Sequence, residues 1–158
     1  MSSTSSNGAP SLWKGLVAGL VAGVAATAAK TLAEKFYPPR IHGEPEPPEL
    51  LTERIAGDDL DMTTKLVASE GIHWGFGAAA GAFYGALAEF YPAATSKEGA
   101  NFGLVLMALT HEGVLPAMAL SAPAEQQSER EHSSEALTHL IYGVVAERVR
   151  SMVRDILA

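Results

Sequence analysis

The sequence predicts an all-α fold: a four-helix transmembrane bundle with glycine-zipper packing and an acidic, Pro-rich loop between the first two helices. Three observations predict it. Gly71 to Ala88 is a run of eighteen residues without a formal charge, bracketed by Glu70 and Glu89. As a helix it would extend about 27 Å, close to the roughly 30 Å hydrocarbon core of a bilayer. Within it Gly77, Gly81 and Gly85 recur at every fourth position, and Gly15, Gly19 and Gly23 do the same near the start of the chain. Each set gives a smooth helix face that another backbone can approach closely, which is how helices associate in lipid. Between these runs Pro38, Pro39, Pro45, Pro47 and Pro48 interrupt any helix.

Composition sets the bounds. A length of 158 residues reads as one domain, and the mean hydropathy of +0.12 is modest because much of the apolar content is Ala and Gly. The net charge of -7 argues against nucleic acid as a partner, since no basic patch exists to displace phosphate counterions. The chain has no cysteine, which excludes disulfides and thiolate sites.

The elements follow in order. Residues 1–10 are Ser-rich and polar and read as a disordered tail, leaving 11–158 as a single integral membrane domain. The first span, near 12–32, opens on Trp13 and Lys14 as interfacial anchors and closes on a snorkelling Lys30. Ala26-Thr27-Ala28 also resembles a signal-peptide cleavage site, so the rival reading is an exported soluble helical protein beginning near Ala29. Glu44, Glu46, Glu49, Glu53, Asp58 and Asp59 make the following loop acidic and water-facing, with a short surface helix over 50–56. Asp61 or the aspartates before it cap the second long helix, whose span lies near 66–90 and which Pro92 stops. A third span falls near 99–120, bent by Pro116, and a fourth near 135–154 ends in an amphipathic stretch with Arg148, Arg150 and Arg154. Basic residues flank the two faces almost equally. The dense C-terminal arginines favour both termini inside.

On this topology three histidines and three carboxylates, Glu70, His73, His111, Glu112, Glu135 and His139, share the outer half of the membrane. Each His has an acid within helical reach: Glu70/His73, His111/Glu112 and Glu135/His139. Ionisable groups at such depth face a bundle interior and pair with one another. A bland structural role, a proton-responsive cluster, and a metal or haem site all fit the residue types, and the proton-responsive cluster is the expectation carried forward. Glu-x-x-His occurs once, short of the two copies a di-iron bundle requires, and no nucleotide loop, serine elbow or zincin motif is present. Catalytic residues, metal ligands and cofactors are accordingly expected to be none. Glu89 and Glu147 read as ordinary surface carboxylates near the inner face.

Lys30-Thr31-Leu32-Ala33-Glu34 followed by Pro38-Pro39-Arg40, then His73 and Ala88-Glu89-Phe90-Tyr91-Pro92, form an ordered string. It continues through His111 to Pro116 and Leu120, Pro123, Ser134-Glu135, His139 and Glu147-Arg148. The order and spacing resemble the YagU-like family of small bacterial inner-membrane proteins, over most of the chain beyond the tail. The acidic loop is shorter than in that family, and the N-terminal positive charge is reduced to Lys14. The resemblance implies a four-helix, multi-pass inner-membrane protein without known biochemical activity, loosely linked to acid tolerance, and it brings no catalytic residues. The expected partners are the lipid bilayer and a second copy or another membrane protein. The alternatives are a haem- or metal-binding membrane bundle and a structural or assembly subunit of a membrane complex.

Overall fold

The computed structural model describes residues 9–40, 44–57 and 59–158. The tail expected at 1–10 lies outside them except for its last two positions. Among the described residues the chain is helical, with no strand.

Helix α1 (Leu12–Phe36) starts at Ser11, whose side chain accepts from the Lys14 amide. Helix α2 (Pro47–Ala56) begins earlier than the sequence suggests. Pro47 and Pro48 occupy its first turn, where a missing N–H leaves no hydrogen bond unmade, and Glu46 and Glu49 close a reciprocal capping box. Helix α3 (Met62–Phe90) is capped by Asp61, which accepts from the Thr63 and Thr64 amides at 3.0 and 3.1 Å. The Thr64 hydroxyl also donates to Asp61 and holds its carboxyl below the usual carboxylate range. Turns over Pro92–Gly99 reverse the chain, with Lys97 and Glu98 both at φ 55° and Gly99 at φ 82°. Helix α4 (Ala100–Leu109) passes through a wide π turn (Thr110–Val114) into the short α5 (Leu115–Ala117). Helix α6 (Glu129–Ile156) closes the fold.

Helix α1 packs against both α3 and α6, α4 packs against α6, and α2 lies on α3. The α1–α3 contact is made of backbone. A Cβ placed on Gly15 would lie 2.7 Å from the Gly85 carbonyl oxygen, one on Gly23 2.5 Å from that of Gly77, and one on Gly81 2.5 Å from that of Gly19. No real side chain tolerates those distances. The α4–α6 contact repeats the arrangement with glycines that the sequence reading passed over. There a Cβ on Gly143 would lie 2.8 Å from the Gly103 nitrogen and would also collide with the Gly99 carbonyl.

Such close packing leaves room inside only for small residues. Ala18, Ala22 and Ala26 are fully buried at 0% exposure, whereas Leu20, Phe83 and Val105 are 50%, 63% and 56% exposed. Tyr84, Tyr142 and Leu120 are large apolar exceptions, and each tyrosine spends its hydroxyl on an interior acceptor, Glu147 at 2.7 Å and the Gly77 carbonyl at 2.6 Å. The start of α1 and the end of α6 meet at one end of the bundle. There Arg154 pairs with Glu89 at 2.5 Å and donates to the Ala9 carbonyl, and the Ser11 amide also donates to Glu89. Glu147 is held by Arg150 at 2.7 Å. Glu89 and Glu147 are thus partnered, half-buried groups and not free surface carboxylates.

Among the described residues, α1 alone is long and apolar enough to cross a membrane by length and composition. The expectation of four spans at 12–32, 66–90, 99–120 and 135–154 is not carried by hydropathy element by element. Glycines and His73 dilute α3, the π turn and Pro116 divide the third segment, and α6 carries Glu135, His139, Glu147 and its arginines.

These contacts make a contrast testable. Gly19→Leu or Gly81→Leu must drive two backbones apart and should lower stability by about 3 kcal/mol or more, the upper range for overpacking. Gly75→Ala meets nothing within 4 Å and should be neutral or raise stability, since Ala favours helix by up to about 1 kcal/mol. Thermal melts in detergent of the three variants against the parent check both directions.

Candidate functional site

At the end of the bundle away from the chain termini, the interior turns polar. Lys30 on α1 is buried and ion-paired to Glu34 one turn on, with its ammonium 3.5 Å from Glu135 Oε2 on α6. Glu135 is 2% exposed and serves three cations or potential cations at once. Its Oε1 stands 3.3 Å from His111 Nδ1, and its Oε2 stands 3.4 Å from His139 Nδ1. The two imidazoles meet edge to face with centroids 4.9 Å apart.

Local sequence explains the placement. Glu135 and His139 are one turn apart on α6, so they share a face, and Ser134 and Thr138 beside them are fully buried. His139 Nδ1 also lies 2.9 Å from the Glu135 carbonyl oxygen, a donor bond that fixes the ring against its own helix. His111 enters from the π turn. Pro116 has no N–H to continue the ladder, the Leu115 amide reaches back to Thr110, and the Thr110 hydroxyl donates to Leu106 at 2.7 Å. The inserted residue rotates the helix face and aims His111 inward.

The cluster opens onto a cavity of about 510 Å³ between α3 and the α4–α5 rod, roofed by α2 and the prolines before it. Lys30, Glu34, His73, His111 and Glu135 form its polar wall, while Leu51, Leu66, Ile72, Phe76, Val114 and Met118 form an apolar one. Arg54 from α2 donates to the carbonyls of Met118 and Ala119 and ties the roof to the end of the rod.

Of the six residues singled out from the sequence, three converge: His111, Glu135 and His139. His73 reaches the same cavity but is bonded to the Thr31 hydroxyl at 3.1 Å. Glu70 also lines the cavity but is exposed, and it accepts from the indole N–H of Trp74 at 2.9 Å. Glu112 pairs with His132, not with its neighbour His111, at 2.9 Å. Spacing along one helix brought the right acid to His139 and the wrong one to His73 and His111.

Residues 20–148 match the family described as protein of unknown function (DUF1440). The chain belongs to that family. The matched region contains Lys30, Glu34, His73, His111, Glu135 and His139, and stops short of Arg150 and Arg154. No curated protein and no solved structure matches the chain.

Three positions at the polar end of this DUF1440 chain are not marked by the sequence reading. Lys30 and Glu34 were legible only as an i,i+4 pair at a helix end, and reading Lys30 as a snorkelling anchor pointed it outward. His132 lies in a polar stretch where a histidine draws no notice.

Lys30 is paired with two carboxylates at once, Glu34 and Glu135. Lys30→Met should destabilise the protein by about 3 kcal/mol, because it leaves buried negative charge uncompensated. Lys30→Met/Glu135→Gln should be less harmful than Lys30→Met alone. Unfolding of the parent and both variants under one set of conditions tests the order.

Proposed function

We propose that the chain is a non-enzymatic, multi-pass protein of the bacterial inner membrane, with α1, α3, the α4–α5 rod and α6 crossing the bilayer and both termini cytoplasmic. The observation that carries this reading is the inverted distribution of side chains. Small residues and ionisable groups occupy the interior, and Leu20, Phe83, Val105 and Leu109 stand exposed on the outside of three different elements. A water-soluble bundle buries its large apolar stripe and exposes its charges. Lipid removes the reason to bury them and rewards close, small-residue packing with paired interior charges. The YagU-like assignment within the family is supported by the ordered residue string from Lys30 to Arg148.

The acid-responsive part of this proposal attaches to His132 and Glu112, at the mouth of the polar end. His132 Nδ1 lies 2.9 Å from Glu112 and Nε2 2.9 Å from the Ala124 carbonyl oxygen. Only the imidazolium donates to both at once. The Ala124 carbonyl first, and then Glu112 with Glu131 nearby, hold the His132 pKa above its ordinary value, with slight burial opposing. Protonation therefore favours the clasp between the rod and the start of α6. Its contribution is fully present below about pH 6.5, the free-imidazole value, and is lost as pH rises through the raised folded value.

Two measurements test the proposal. After alkaline washing the full chain should stay with membranes and need detergent for release; recovery in the soluble fraction ends the membrane reading. The chain has no native cysteine, so single introduced cysteines report topology directly. Ala93→Cys, at an exposed position, should label from the cytoplasmic side, and Glu125→Cys from the other. For the clasp, hydrogen exchange over residues 124–132 should slow on acidification in the parent beyond its intrinsic pH trend, and His132→Ala should remove that extra protection.

A further inference from the structure

We propose that His111, Glu135 and His139 form a binding site for a divalent transition-metal ion, zinc or ferrous iron by donor type. One donor atom from each residue falls within 4.8 Å of the others. Two imidazoles and one carboxylate are the ligand set these ions accept while keeping coordination positions open. Such a site goes beyond the membrane role and does not depend on it.

The geometry favours ligation over simple hydrogen bonding. Charge-assisted N–H···O bonds close to about 2.8 Å, as the His132–Glu112 pair does at 2.9 Å. His111 Nδ1 and Glu135 Oε1 stand further apart at 3.3 Å. That separation is close to the roughly 3.3 Å edge between two ligands each about 2.0–2.1 Å from a tetrahedral ion. Among the described residues His139 is engaged through Nδ1 alone, 2.9 Å from the Glu135 carbonyl oxygen and 3.4 Å from Glu135 Oε2, which fixes the ring and leaves Nε2 without a bond. In His132, by contrast, both ring nitrogens are engaged at 2.9 Å, so it is a clasp and not a ligand.

The surroundings are consistent with an ion at this point. Lys30 approaches Oε2 of Glu135 and is also held by Glu34, which leaves Oε1 to the ion. His111 and Glu135 both line the 510 Å³ cavity, so the remaining coordination positions face space that a water or a small anionic ligand can enter.

The test uses the full chain, purified in detergent without a histidine tag and stripped of metal. Titration with Zn²⁺ should reach one equivalent, and Co²⁺ should give visible d–d absorption that Zn²⁺ displaces. His111→Ala, His139→Ala and Glu135→Gln should each weaken binding by at least about a hundred-fold, beyond the 10–100-fold typical of outer-shell partners. His73→Ala, which alters the same cavity wall, should bind as the parent does. Circular dichroism of each variant checks that the helices remain. If a variant does not fold, the parent's Co²⁺ spectrum still decides the matter. No d–d absorption in the parent, or binding that survives the ligand substitutions, overturns the site in favour of hydrogen bonding alone or adventitious surface binding.

Discussion

Close backbone approach is the constraint on which the rest of this structure depends. Gly15, Gly19 and Gly23 meet Gly77, Gly81 and Gly85 without a side chain between them, and Gly99 and Gly103 meet Gly143 in the same way. Once helices sit that close, the interior has room for Ala, Ser and Thr but little else. Large apolar residues are displaced outward by geometry, not by preference for solvent. In water such a surface would be a liability of many exposed leucines, valines and phenylalanines. The same geometry that narrows the core therefore leaves a broad apolar outer surface.

The polar site sits where this narrow packing gives way. Glu135 is fixed by its position on α6, and everything near it is arranged as an answer to its charge. Lys30 supplies a permanent cation, and Glu34 in turn occupies the other side of that ammonium. The two histidines add donors whose charge is conditional. A fully buried polar atom without a partner is absent among the described side chains. That is the state expected of ionisable groups retained in a low-dielectric interior.

How much of this was legible depends on the range of the signal. Caps and stops are local, and Asp61, Pro92 and the apolar run of α1 gave the element boundaries closely. The two leading glycine rows were equally visible, because period-four spacing fixes a face whatever lies opposite. What lies opposite was not visible, and so Gly99, Gly103 and Gly143 went unread. Partner choice among the acids failed for a related reason. A helix-neighbour rule pairs His73 with Glu70, but Glu70 accepts from the Trp74 indole, and His73 finds Thr31 across the α1 contact. Glu112 was assigned to His111 by adjacency, yet consecutive helical residues point about 100° apart, so the two could not share a partner.

The rod is broken next to His111. An uninterrupted helix from Ala100 to Leu120 would have been the simpler way to cross the bundle. Instead the chain widens into a π turn at Thr110–Val114, passes Pro116, and ends with Ala119 at φ 52° and Leu120 fully buried. A non-glycine residue in that region costs on the order of 1–3 kcal/mol and persists only where surrounding contacts hold it. Here the holding contacts are the Arg54 guanidinium on the Met118 and Ala119 carbonyls and the Leu120 side chain in the interior. Each departure from regular helix adjoins the cavity wall or the inward face of His111. Packing alone gives no reason for them, since the α4–α6 contact at Gly103 and Gly143 is complete below the break. The irregular segment shapes the cavity and brings His111 to Glu135, and that is the geometry any function of the polar site must use.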